Sequence, residues 1–149
     1  PTRAPPVVTG GGFVGWAPLY ALPTESHALE RKLRAGIGGA GHDDDSELFV
    51  IVGDLLRESP APPALRKALW EVAARVPGVT LVGAVKDSMG RAGVAVERDY
   101  LRYILDPQDG RLLEEGVPGG AAFRGTYLEQ GPADRAPAPT ESLPQLKPK

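Results

Sequence analysis

At Pro77-Gly78 the spacing of apolar residues changes from every three or four positions to every two. Upstream, Leu65, Ala68, Leu69, Val72 and Val76 recur with the helical period, while Arg66, Lys67, Glu71 and Arg75 fall elsewhere on the turn. Downstream, the runs 79–87, 92–98, 100–106, 111–117 and 121–128 alternate as strands do. No single regular element accommodates both periods. Helices that precede short strands joined by tight turns define an α+β chain. The expected fold is an antiparallel β-meander of four to five strands, with about three helices packed on one face.

Proline and glycine supply the punctuation. Pro60 closes one helix, Pro62-Pro63 opens the next, and Pro77-Gly78 closes that one. A proline at the first helical position loses no hydrogen bond, and the residue before a proline is pushed out of the helical region. "SMGR" at 88–91 reads as a hairpin turn, and "DPQDG" at 106–110 as a second turn with proline then Asp-Gly.

Two further helices are expected upstream. The first spans 22–36, with Thr24 as its cap, Glu25 in its first turn, an i,i+4 pair of Glu30 and Arg34, and Leu29 and Leu33 as the buried stripe. The second spans about 46–58, with Leu48, Ile51, Val52, Leu55 and Leu56 on one face.

The 149 residues suffice for one core. Residues 1–12 read as a flexible N-terminal arm, 13–128 as a single α+β domain, and 129–149 as a disordered Pro-rich tail. Net charge is −2 and the basic residues form no stripe, so no nucleic-acid partner is expected. The absence of cysteine removes disulfides, thiolate metal sites and thiol nucleophiles. "LFVIVGDLL" at 48–56 is too short to span a bilayer and carries Asp54. The chain as given is therefore expected to be soluble.

Few residues suggest chemistry. His42, Asp43, Asp44 and Asp45 form the string closest to a metal set. Consecutive ligands do not suit one ion, however, and three carboxylates before a helix are favoured by its dipole. His27 lacks a nucleophile or orienting partner at a recognisable spacing. The carboxylate pairs Asp54/Glu58, Asp106/Asp109 and Glu114/Glu115 suit solvated charges and turns. No catalytic residue, metal or cofactor is assigned. Trp16, Tyr20 and Trp70 are the candidate contact residues, with Trp70 at the margin of its helix stripe.

"LPTE" at 22–25, "ELFVIVGDLLRESPAPPALRKALWEVAARVPGV" at 47–79, "KDSMGRAGVAV" at 86–96 and "YILDPQDGRLLEE" at 103–115 together resemble a family of uncharacterised actinobacterial cell-envelope proteins. Its members are often encoded beside extracytoplasmic-function sigma factors. They look like a short cytoplasmic segment, one transmembrane helix and a long extracytoplasmic domain. The resemblance covers about Leu22 to Glu115 and implies the C-terminal part of that domain. Any membrane attachment would then run through a segment absent from this chain. The resemblance implies an extracytoplasmic or cell-envelope location and brings no catalytic residues.

The functional expectation is a non-enzymatic extracytoplasmic binding or sensing domain. Its partner would be a protein or an apolar, lipophilic small molecule, with a link to envelope-stress signalling. The alternatives are a metal- or carboxylate-dependent hydrolase built around His42, and a purely structural domain of a larger envelope protein.

Overall fold

A computed structural model describes residues 7–9, 12–14, 19–37, 43–119 and 123–130. Among them, three helices precede a five-stranded antiparallel sheet, and the change from one to the other falls at Pro77-Gly78. The helices are α1 (Ser26–Ala35), α2 (Asp44–Glu58) and α3 (Pro63–Arg75). A two-stranded ribbon of β1 (Val7–Thr9) and β2 (Gly12–Val14) comes first, with β1 lying against α2. These strands fall partly inside the stretch expected to be an arm. Their residues include Val7, Val8, Phe13 and Val14, which favour extended backbone. The tail from 131, expected to be disordered, lies outside the described residues.

The helix boundaries follow local chemistry. α1 is capped by Glu25 rather than Thr24. The Glu25 carboxylate accepts from the backbone N–H groups of His27 (2.9 Å) and Ala28 (2.7 Å), and these bonds hold its pKa below the usual carboxylate value. α2 is capped by Asp43, which accepts from Ser46 N at 2.8 Å, with Asp44 and Asp45 in the first turn. α3 starts with Pro63 at its first position and ends at Val76, whose extended backbone leads into Pro77.

The sheet runs in sequence order: β3 (Thr80–Lys86), β4 (Ala92–Arg98), β5 (Leu101–Leu105), β6 (Leu112–Gly116) and β7 (Arg124–Thr126). Val96 pairs with Tyr103 and belongs to the main core with Leu112. Ala95 pairs with Ile104 and forms a small cluster with Leu113 on the opposite face. The helices therefore cover one face only.

The main core joins Leu29 of α1, Leu48, Phe49, Val52 and Leu55 of α2, and Leu65, Leu69 and Val72 of α3 to that face. The Phe49 and Tyr103 rings stack at 4.7 Å, and Trp70 meets Tyr103 edge-on at 6.2 Å.

A bulge between β5 and β6 decides which side chains share a face. Ile104 pairs with Glu114 but Leu105 pairs with Leu112, which leaves Leu113 as the extra residue. Strict alternation would put Glu114 beneath the helices with Leu112. The bulge puts Leu113 and Glu114 together on the open face and turns Glu115 toward α2.

Candidate functional site

The three helices do not reach across the whole sheet. Beyond α3, β3 continues as the last strand on its side and pairs only with β4 among the described residues. The space between α3 and this overhang is an apolar groove of about 620 Å³. Leu81, Val96 and Leu105 form its floor, and Trp70 and Ala74 part of its helical wall. Leu81 is 67% exposed, although it pairs with Val96, which is buried. Covering a leucine of this exposure removes enough apolar surface from water to contribute about 1–2 kcal/mol.

The turn 106–110 closes one end of the groove, and α3 holds it there. Arg66 Nε donates to the Asp109 carbonyl at 2.7 Å, and Trp70 Nε1 donates to the Gly110 carbonyl at 2.6 Å. Gly110 has φ +74°, a left-handed conformation that glycine adopts without strain. A Cβ at that position would lie 3.2 Å from the Arg66 Cβ. Asp106 and Asp109 each accept a backbone N–H within the turn, from Gln108 and Arg111. The closed end therefore carries the Asp106 and Asp109 carboxylates, the latter paired with Arg111 at 3.3 Å, while the floor is apolar.

Trp70, the aromatic residue at the margin of the α3 stripe, is 8% exposed. Its ring forms both core edge and groove wall. Tyr20 is 58% exposed and lines no part of the groove. Trp16 lies outside the described residues.

His42 also lies outside the described residues, and the three carboxylates beside it diverge. Asp43 caps α2 and approaches Arg98 at 3.4 Å, and Asp45 pairs with Arg34 of α1 at 2.8 Å. Asp44 sits exposed in the first turn of α2. No group of three histidines or carboxylates among the described residues is placed to hold a metal ion. His27 is exposed on α1.

The carboxylates of α2 gather around one cation. Arg57 Nη2 donates to Asp54 at 2.5 Å and to Glu58 at 2.9 Å, while Nη1 spans both oxygens of Glu115 at 3.0 and 2.9 Å. Burial alone would lower the Arg57 pKa. The surrounding carboxylates outweigh it and raise the pKa well above the ordinary arginine value. This network joins α2 to β6 through one guanidinium shared by three carboxylates, a part-buried structural tie between helix and sheet.

Leu81 and Leu105 escape a reading of the sequence alone. The available signal was "TLVGAV", which places apolar residues on both faces of one strand. An edge strand beside a one-sided helical layer cannot bury both faces. Comparison with protein-family models, characterised proteins and solved structures finds no match to this chain. No helix among the described residues is long and apolar enough to cross a membrane.

Proposed function

We propose that this protein is a non-enzymatic binding domain whose groove between α3 and β3 receives a lipophilic ligand. One observation carries the reading: Leu81 stands largely uncovered on the apolar floor beside Trp70, in a space of about 620 Å³. That volume falls within the range of small-molecule sites. Binding would work by apolar burial between a rigid helix and a rigid sheet, with the acidic turn at one end orienting the ligand. The apolar side chain of a partner protein is the other occupant of the same chemistry.

The uncharged fluorophore 1-N-phenylnaphthylamine tests this directly. Its emission should rise on binding, and Leu81→Asp should abolish the rise while leaving the urea midpoint unchanged, because Leu81 is largely solvent-exposed. Tyr100→Asp, at an exposed tyrosine outside the groove, should bind as wild type. Emission that stays flat, or that is equal in the Leu81 variant, would overturn the proposal. Native mass spectrometry of the wild-type protein purified from cells would then separate a retained lipid from a retained protein partner.

The family resemblance of residues 22–115 supports a further part of the proposal, that the domain works outside the cytoplasm in an envelope-stress system. An export-dependent reporter fused to the native protein should be active in its host; an inactive fusion present at normal abundance would count against it.

A further inference from the structure

The sheet face turned away from the helices holds a second concavity, of about 310 Å³. Ile104 lies at its floor, and Arg102, Arg124 and Lys86 stand around it with Glu114 and Phe123. It shares no residue with the groove.

Most of the acidic charge here is already committed. Asp87 receives Arg91 Nε at 2.6 Å, and Glu115 turns to Arg57 on the other face. Arg102 Nη1 reaches Glu97 at 3.4 Å. Glu114 accepts through Oε2 from Ser88 N (2.9 Å), Ser88 Oγ (2.5 Å) and Thr126 Oγ1 (3.0 Å), all neutral donors. Among the described residues Lys86 and Arg124 have no carboxylate at ion-pair distance, although Arg124 lies close enough to influence Glu114. Lys86 and Arg124 are therefore the cations at this concavity left without an ion-pair partner among the described residues, beside a Glu114 held by neutral donors.

Arg102 adds a separate observation. Its Nε is sealed from solvent and has no acceptor among the described residues. A buried N–H without a partner is uncommon, because such donors lose their hydration without replacement. The guanidinium fork matches a planar carboxylate through two parallel hydrogen bonds. The long contact with Glu97 does not satisfy that fork. Turning it into the concavity would present Nε and one Nη together to a ligand.

We propose that this concavity binds a monoanionic carboxylate carried on a short apolar body. Arg102 holds the carboxylate, Arg124 and Lys86 flank it, and Ile104 and Phe123 meet the apolar part. A monoanion is favoured over a phosphate dianion, because the Glu114 carboxylate in the same concavity would repel the second charge.

The test is 15N NMR titration of the full chain with 4-methylpentanoate, with 4-methylpentan-1-ol and inorganic phosphate as comparisons. The Arg102 Nε–H resonance and the amides of 86–88, 102–104 and 114–117 should shift with methylpentanoate. Arg102→Gln should weaken binding about tenfold or more, as expected for loss of a charged hydrogen-bonding partner. The double variant Lys86→Gln/Arg124→Gln changes two exposed side chains, keeps the fold, and should weaken binding several-fold. N-acetylleucine distinguishes the two sources of such a carboxylate: tighter binding than methylpentanoate assigns the site to a peptide C-terminus, and weaker binding to a free acid. The alcohol shifting the same resonances, phosphate binding as tightly, or unchanged affinity in both variants would overturn the proposal.

Discussion

A Cβ on Gly53 would lie 2.3 Å from the hydroxyl of Tyr103. Gly53 sits in the middle of α2, where glycine weakens a helix, and Tyr103 reaches across from β5 to donate to the Phe49 carbonyl at 3.2 Å. The glycine lets helix and sheet approach closely enough for the Phe49–Tyr103 stack to form. Gly53→Ala should therefore destabilise the protein by about 1–3 kcal/mol through overpacking, despite its gain in helix propensity. Urea unfolding checks this. Adding Tyr103→Phe should recover only part of the loss, because the ring carbon itself would remain 2.6 Å away. A Gly53→Ala midpoint at or above wild type would falsify the packing account.

Asp87 makes the β3–β4 hairpin sensitive to acid. Its side chain is fully buried, and burial alone would raise its pKa. The Arg91 N–H, the Arg91 guanidinium and the Met89 N–H together outweigh burial and hold the pKa below the usual carboxylate value. A lowered folded-state pKa means that the stabilisation is present above the unfolded value, about 3.9. It is lost as pH falls through the folded-state value. Asp87→Asn should cost about 2 kcal/mol at neutral pH, and its urea midpoint should fall less steeply than wild type between about pH 5 and pH 2. Parallel pH profiles for the two proteins would refute this.

At the alkaline end the sign reverses. Burial raises the pKa of Tyr103, with Glu115 and Asp54 adding to the effect. Burial also raises that of Tyr127, with the neighbouring Glu115 carboxylate adding to the effect. Neutral phenols in the folded state stabilise it fully below the unfolded tyrosine pKa, about 10, and that stabilisation is lost as pH rises further. Tyrosinate absorbance should show two phenols that ionise only as the protein unfolds in base. Full ionisation of all four tyrosines with native circular dichroism retained would contradict it.

The closed end of the groove depends on Trp70 and Gly110. Trp70→Phe keeps an apolar ring but removes the donor to the Gly110 carbonyl, and should cost about 1–2 kcal/mol. Gly110→Ala combines a left-handed backbone with crowding against Arg66, and should cost about the same or more. Both variants should weaken 1-N-phenylnaphthylamine binding further than their stability loss explains. Thermal melts and probe titrations, compared side by side, decide this.

Arg98 fixes how the helical layer sits on the sheet. From β4 it donates to Ser46 Oγ at 2.5 Å and to the Pro77 carbonyl at 2.9 Å. Arg98→Met retains most of the apolar stem and should still lower stability by about 1–2 kcal/mol by leaving those groups without their donor. An unchanged urea midpoint would show that the helix start and the Pro77 turn are held without it.

Much of this architecture is legible in the sequence because it is governed by near neighbours. Pro63 and Pro77 bound α3 through their own ring geometry, and Asp106 and Asp109 shape their turn through hydrogen bonds two residues long. Trp70 is identifiable as a margin residue because its place on the helical period is fixed. The cap of α1 is harder to read. Thr24 and Glu25 are adjacent residues that can both cap, and the longer side chain reaches the free N–H groups of the first turn. The groove floor is not legible, because the exposure of Leu81 depends on how far α3 extends across the sheet.

The change of apolar period in the sequence determined that this chain forms helices followed by an antiparallel meander, since a helix closes its own hydrogen bonds and tight turns pair each strand with the next. Tertiary structure alone decided what each strand presents. One extra residue at Leu113 moves Glu114 to the open face beside Arg102 and turns Glu115 to Arg57. A bulge is a property of two paired strands, so no single stretch of sequence announces it. The open face owes its Glu114, and the helical face the Glu115 that meets Arg57, to that one shift of register.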